Sequence, residues 1–143
     1  MTVRSILERK GYDVFSITPD VSLADAITVL AKHKIGALVV CDENKAIKGI
    51  LSERDVVRAI SVDGADALWK PISETMTIKV KVCSESHTIN QVMETMTQGR
   101  FRHLPVEKDG QLYGIVSIGD VVKLRIEEVE RESQEIRSYI ATA

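Results

Sequence analysis

Residues 112–123 read LYGIVSIGDVVK, an apolar run interrupted by a glycine and followed by a serine, with an aspartate three places on. Residues 47–58 read IKGILSERDVVR, which sets Gly49, Ser52, Asp55, Val56 and Val57 opposite Gly114, Ser117, Asp120, Val121 and Val122, 65 residues later. Two copies of one short unit point to a chain built by duplication, and a repeat of this kind governs every other assignment.

Working outwards, each copy is preceded by the same elements. Leu23, Ala26, Ile27 and Leu30 form one helical face, and Ile89, Val92, Met93 and Met96 repeat it 66 residues on. Ser22 and Thr88 stand at the N-caps, with Asp25 and Gln91 three places later as capping-box partners. Apolar strands are expected at 37–41 and 104–106, then turns, then strands at 46–51 and 111–116, and Asp109-Gly110 is a tight-turn signal. The first turn is one residue longer, which absorbs the change of offset from 66 to 65 where length changes cost little. With first strands near 14–17 and 79–83, each half reads β-α-β-β-α. The fold class is α+β, in two units of pseudo-two-fold symmetry, residues 1–66 and 67–143, with an extended C-terminal helix.

A unit of about 60 residues is marginal alone, so the halves should pack as one body. In the connection SVDGADALWKPISETM, Trp69 is expected to plug the core. From Val121 onward, Val122, Ile126, Val129, Ile136 and Ile140 make a narrow heptad-like stripe, with Ser133 in the vacant place. That stripe can lie on the segment holding Val3, Ile6 and Leu7, or pair with a second copy.

The 143 residues carry 19 basic and 21 acidic side chains, a formal net charge of -2, with 44% hydrophobic residues. That balance offers no general attraction to polyanions and makes nucleic acid an unfavoured partner. Cys41 and Cys83 form neither a CxxC pair nor part of a secretory pattern, which suits a reducing interior. No apolar stretch approaches the roughly 18 residues of a membrane span. A cytoplasmic protein with no membrane association is expected, with a removed organellar presequence as the alternative.

The duplicated Ser and Asp have two readings. Ser52 and Ser117 cap helices, and Asp55 and Asp120 at the third position favour the positive helix end, together worth about 0.5–2 kcal/mol. The same junction gathers amides, a hydroxyl and a carboxylate at a strand's carboxyl edge, where a ribose diol or a phosphate can be met. Residue chemistry alone leaves both open.

The arrangement GALVV with GILSERD in the first half, and RHLPV with YGIVSIGD in the second, resembles a tandem CBS-domain pair, or Bateman module, over approximately residues 7–127. The resemblance implies a regulatory, non-catalytic module that binds AMP, ADP or ATP, or NAD(H), in clefts between the halves. Magnesium would enter only with a bound phosphate. It implies a ribose-binding role for Asp55 and Asp120, with Ser52 and Ser117 lining the same clefts, and main-chain grips on adenine near Thr18 and Pro19 and near Cys83 and Ser84. Phosphate is expected to meet Arg100, Arg102 and His103 in the second half, where the first offers Gly36 and Ala37, with Lys34 slightly earlier. Gly119 leaves space where the first copy has Arg54, which can reach phosphate or form a surface ion pair. Lys34 can equally be a solvated helix-end charge. Ile35, Ala37, Phe101 and Leu104 can wall a base pocket or simply fill the core. On this reading the Asp120 cleft should bind more tightly than the Asp55 cleft.

The resemblance also implies a homodimer of stacked modules and a separate regulated protein. The competing reading is a scaffolding homodimer with vestigial sites. An enzyme is disfavoured: neither serine lies in a GxSxG elbow, and His33, His87 and His103 belong to no recognisable triad. No His, Cys and acidic residues stand at metal-ligand spacing.

Overall fold

The computed structural model describes residues 1–142. Its elements run α1 (Val3–Lys10), β1 (Ser16–Ile17), α2 (Leu23–His33), β2 (Ala37–Cys41), β3 (Ile47–Ser52), α3 (Glu53–Asp63), two short 3₁₀ helices (Gly64–Trp69 and Ile72–Glu74), α4 (Ile89–Gly99), β4 (His103–Lys108), β5 (Gln111–Ser117) and α5 (Ile118–Thr142). Strands β1, β2 and β3 form one sheet, with β1 parallel to β2 and β2 antiparallel to β3, and β4 and β5 form a second, antiparallel pair.

The duplication extends to details of register. Ala37 pairs with Ser52 as His103 pairs with Ser117, and both hairpins shift register at the same place, after Val40 and after Val106. Asp109 and Gly110 both take positive φ, the backbone a two-residue hairpin turn requires. The longer first turn is held by Asp42, whose Oδ1 accepts from the amides of Asn44 and Ala46, each at 2.9 Å.

One strand differs from expectation. The segment 79–83 forms no strand, and only Cys83 bridges Val106, as Ile17 pairs with Val40 in the other half. Trp69 also departs from its expected place: it is 75% exposed, and Ala67 and Ile72 fill the core position instead.

The two apolar cores do not divide the chain at residue 66. Leu23, Leu30, Leu38, Val40 and Leu51 pack with Ala67 and Ile72 from the connection, and Met76 lies against them. The other core joins Val3, Ile6 and Leu7 of α1 to Val92, Leu104, Val116, Val121 and Leu124. Each unit thus receives the segment that leads into the other. Residues Val3 and Arg4 donate backbone amides to His87 and Glu85, at 2.9 and 3.0 Å, while Ile72 and Ser73 donate to Val21 and Pro19, at 2.8 and 3.1 Å.

The duplicated glycines make this possible. A Cβ on Gly114 would lie 2.8 Å from Leu7, and one on Gly49 would lie 2.7 Å from Met76 Sδ and 2.8 Å from the Thr77 carbonyl. Gly49→Ala should therefore lower stability by about 1–3 kcal/mol, and by more than Gly114→Ala, because a side-chain methyl can turn aside and a backbone carbonyl cannot. Urea unfolding of both variants checks this, and an equal or reversed order counts against the close-approach account.

Candidate functional site

Both Ser-x-x-Asp junctions form at the end of the second strand of a hairpin, but they are held differently. Ser52 caps α3 in a reciprocal capping box: the Asp55 amide donates to Ser52 Oγ at 3.3 Å, and the Ser52 amide donates to Asp55 Oδ2 at 2.9 Å. Asp55 is only 4% exposed, and its other oxygen, Oδ1, meets the Thr77 hydroxyl at 3.3 Å and Arg58 Nη1 at 3.4 Å. These two contacts are long, so Oδ1 is the edge that a competing donor can take over most easily. In the second copy the Ser117 amide donates to Asp120 Oδ2 at 2.9 Å, but Lys10 of α1 donates to the same oxygen at 2.8 Å. Lys10 also donates to the Ile115 carbonyl at 3.1 Å. An ammonium from α1 thus shares the capping oxygen of the second carboxylate.

A cavity of about 520 Å³ opens at Asp55, within the roughly 300–1,000 Å³ of ordinary small-molecule sites. One wall is the β3–α3 junction, with Ile50, Ser52, Glu53, Arg54, Asp55 and Arg58. Gly36 and Ala37 line the start of β2, and Thr77, Lys79, Val80 and Lys81 cross from the connection. The opposite wall is the α4–β4 turn, Gly99 to His103. Arg54, Arg58, Lys79, Lys81, Arg100 and Arg102 outnumber Glu53 and Asp55 six to two, so the cavity carries an excess of positive charge.

Of the residues expected at a site, the cavity gathers Gly36, Ala37, Ser52, Arg54, Asp55, Arg100, Phe101, Arg102 and His103. Arg102 and His103, expected to serve Asp120, line the cavity with Asp55, because the start of β4 lies against the start of β2. A Cβ on Gly36 would lie 3.4 Å from His103 Cε1. Burial holds the His103 imidazole below its ordinary range, and the cations Lys10 and Arg102 act in the same direction, against Asp120 and Glu53.

Other expected residues lie elsewhere. Leu104 is core at 1% exposure, and Ile35 packs on the first core. Lys34 ends α2 in the left-handed conformation and is not a cavity wall. Thr18 and Pro19 also lie off the cavity: their carbonyls accept from Val21 and Ser73. Cys83 is buried, its amide and carbonyl are spent on Pro105 and Glu107, and burial pushes its thiol up to about 12. Ser117 and Gly119 stay beside Asp120, where the nearby hollow of about 160 Å³ is lined by Arg9, Lys10 and Lys123. Sequence reasoning missed Arg58, Thr77, Lys79, Lys81 and Lys10. The only signal for the lysines is that Lys79 follows Lys10 by 69 residues, the offset that also relates Leu7 to Met76.

Comparison with known proteins bears directly on this arrangement. Residues 3–62 and 72–127 each match the sequence model of the CBS domain. The chain is 34% identical over 147 aligned residues to the mitochondrial CBS domain-containing protein CBSX3 of Arabidopsis thaliana, covering 97% of this chain and 71% of that protein. The CBS-domain protein ATU1752 of Agrobacterium tumefaciens superposes with a TM-score of 0.84 at 50% identity, covering 87% of this chain and 99% of that one. The CBS pair of MJ0100, in complex with 5′-methylthioadenosine and S-adenosyl-L-methionine, gives 0.79 at 26% identity, over 90% and 98% of the two chains. CBSX2 in complex with AMP gives 0.76 at 25% identity, over 88% and 97%.

The Lys10 contact should leave a pH signature. Burial alone would raise the Asp120 carboxyl, but the hydrogen bonds from Lys10 and Ser117 outweigh it and hold the group below its ordinary range. A depressed carboxyl contributes stability that is complete above its unfolded value and fades as pH falls through its folded one. Lys10→Met should therefore cost up to about 1 kcal/mol near neutral pH, the ceiling for a partly exposed pair, and less in acid. Unfolding scans from neutral pH to below the ordinary carboxylate range check this, and a loss independent of pH removes the assignment.

Proposed function

The chain belongs to the CBS-domain family, and we propose on that footing that it is a regulatory module whose principal site is the cavity at Asp55, taking an anionic adenosine ligand. The carrying observation is a nearly buried ribose-type acid at the edge of a cavity whose cations outnumber its anions six to two. A neutral or cationic adenosine compound leaves those cations unpaired. AMP, ADP, ATP and NAD(H) each bring phosphate to them, and Arg is suited to bidentate phosphate contacts. Asp55 Oδ1 would accept from the ribose hydroxyls as Thr77 and Arg58 give way, while Arg54, Lys79, Lys81, Arg100 and Arg102 would meet the phosphates. Magnesium would accompany only a bound phosphate.

The second cleft is the weaker site on this reading, because Lys10 already offsets the charge of Asp120 and the hollow beside it is only about 160 Å³. That order reverses the one drawn from Arg102 and His103 on sequence grounds. The output is the activity of a separate protein, which ligand occupancy modulates, and the module works as a homodimer. No helix among the described residues is long and apolar enough to cross a membrane. The two buried free thiols fit a reducing compartment, the cytoplasm or, as the name of the Arabidopsis relative suggests, an organelle interior.

Calorimetric titration with AMP, ADP, ATP, NAD⁺, NADH and S-adenosylmethionine tests this reading. Phosphate-bearing ligands should bind more tightly than S-adenosylmethionine, and more weakly as salt is raised. Asp55→Asn should weaken them by about 1–3 kcal/mol, roughly 5- to 150-fold, with Asp120→Asn affecting them less. Each variant is paired with an unfolding scan, since Asp55 also caps α3. Unchanged affinity in a folded Asp55→Asn protein, or no binding at about 1 mM ligand, overturns the proposal.

A further inference from the structure

The C-terminal helix α5 has two separate faces. Val121 and Leu124 are buried in the second core. Facing away from them, Val122, Ile126, Val129, Ile136 and Ile140 are 42%, 52%, 49%, 61% and 68% exposed. The spacing of these residues, with Ser133 between, is 4, 3, 4, 3 and 4. That is the alternation of d and a positions in a coiled coil, with Val122, Val129 and Ile136 at d and Ile126, Ser133 and Ile140 at a. Among the described residues nothing covers the stripe, although α5 continues well past the last residues that pack on the core.

The flanking charges indicate what covers it. The g positions are Arg125 and Glu132, and the e positions that follow them are Glu130 and Arg137. In a parallel, in-register pair of helices each g residue faces the e residue of the next heptad across the seam. Arg125 would then face the partner's Glu130, and Glu132 the partner's Arg137, so that all four symmetry-related contacts join opposite charges. Within one helix residues five apart do not face each other, and Arg125 pairs with Glu128 at 3.2 Å instead. Glu130, Glu132 and Arg137 have no opposite charge three or four places away in their own helix, so pairs within one helix do not account for the alternation of sign.

We propose that the C-terminal stretch of α5 forms a parallel, in-register two-stranded coiled coil with a second copy of this chain. This goes beyond the dimer read above by fixing which face, which register and which orientation join the copies. Small polar Ser133 at the central a layer weakens the seam but leaves room for its counterpart, so the helices associate through two apolar clusters on either side of it.

Sedimentation equilibrium of the full chain, with single and double charge reversals, tests the arrangement. Arg125→Glu alone and Glu130→Arg alone should each weaken the dimer about ten-fold, since like charges then meet twice. The double variant should recover to within about two-fold of the native chain, although it still lacks the native Arg125–Glu128 pair. Ser133→Cys should oxidise to a covalent dimer, because a parallel register brings the two thiols together. A monomeric native chain overturns both the coil and the dimer. A dimer that persists while the double variant is as weak as the singles, or while Ser133→Cys fails to cross-link, overturns the coil and leaves the dimer standing. Folded content by circular dichroism accompanies every variant, and the cross-linking arm carries the test if a charge reversal unfolds α5.

Discussion

The structure depends on two places where a side chain is missing. At Gly49 and Gly114 a strand presents bare backbone, and the leading segment of each unit lies directly on it, Met76 and Thr77 on one and Leu7 on the other. Because those segments come from outside the unit they cover, the connection completes the first core and α1 completes the second. Neither half closes its own core, and a unit of that size would bury too little apolar surface alone. The same cross-packing brings Thr77 and Lys79 to the acid of the first copy and Lys10 to the acid of the second.

The capping motif and the candidate binding motif are one set of atoms. A helix that starts directly at a strand end needs acceptors for its first amides, and Ser52 with Asp55, or Ser117 with Asp120, supplies them. One oxygen of each carboxylate is committed to that task. What differs is the other partner. At Asp120 a positive charge sits within hydrogen-bond reach, whereas Asp55 is met by a hydroxyl and by a guanidinium at a longer 3.4 Å. Capping is therefore shared between the copies, and the pairing of the acid's charge is not.

Much of the fold was legible because its signals are local. The helical stripes, the Asp109-Gly110 turn and the duplicated strand–Ser-x-x-Asp unit each lie within a dozen residues, and each forms as read. The site was harder to read, since no single copy contains it. Arg102 and His103 are in the second half by sequence, but the start of β4 lies against the start of β2, so these residues also line the cavity at the junction of the first. Leu104, which could wall a base pocket or fill the core, fills the core, since the two settings look alike in sequence, and the main chain of Cys83, expected near adenine, bonds Pro105 and Glu107. Trp69 was an error, a large apolar residue assumed to be covered when Ala67 and Ile72 already occupied the place.

The inequality of the two clefts follows from how the chain reaches each first strand. Residues 3–10 and 72–79 are equivalent by the Leu7–Met76 relation, yet the former is a continuous helix and the latter is helical only over Ile72–Glu74. A helix advances about 1.5 Å per residue against about 3.3 Å in extended chain, so the helical copy needs more residues to arrive at the same strand. The sequence supplies them: seven positions separate Lys10 from Ile17, and four separate Lys79 from Cys83. The short connection leaves no slack for a second ordered pair, which accounts for a lone bridge at Cys83 where the other half has Ser16 and Ile17. It also commits Thr77 to pair with Ile50, so that Lys79 is carried along the cavity wall, whereas the rigid end of α1 sets Lys10 on Asp120. Two equivalent lysines thus act in opposite senses, one adding to the positive charge of an open cavity and the other offsetting the acid of its twin.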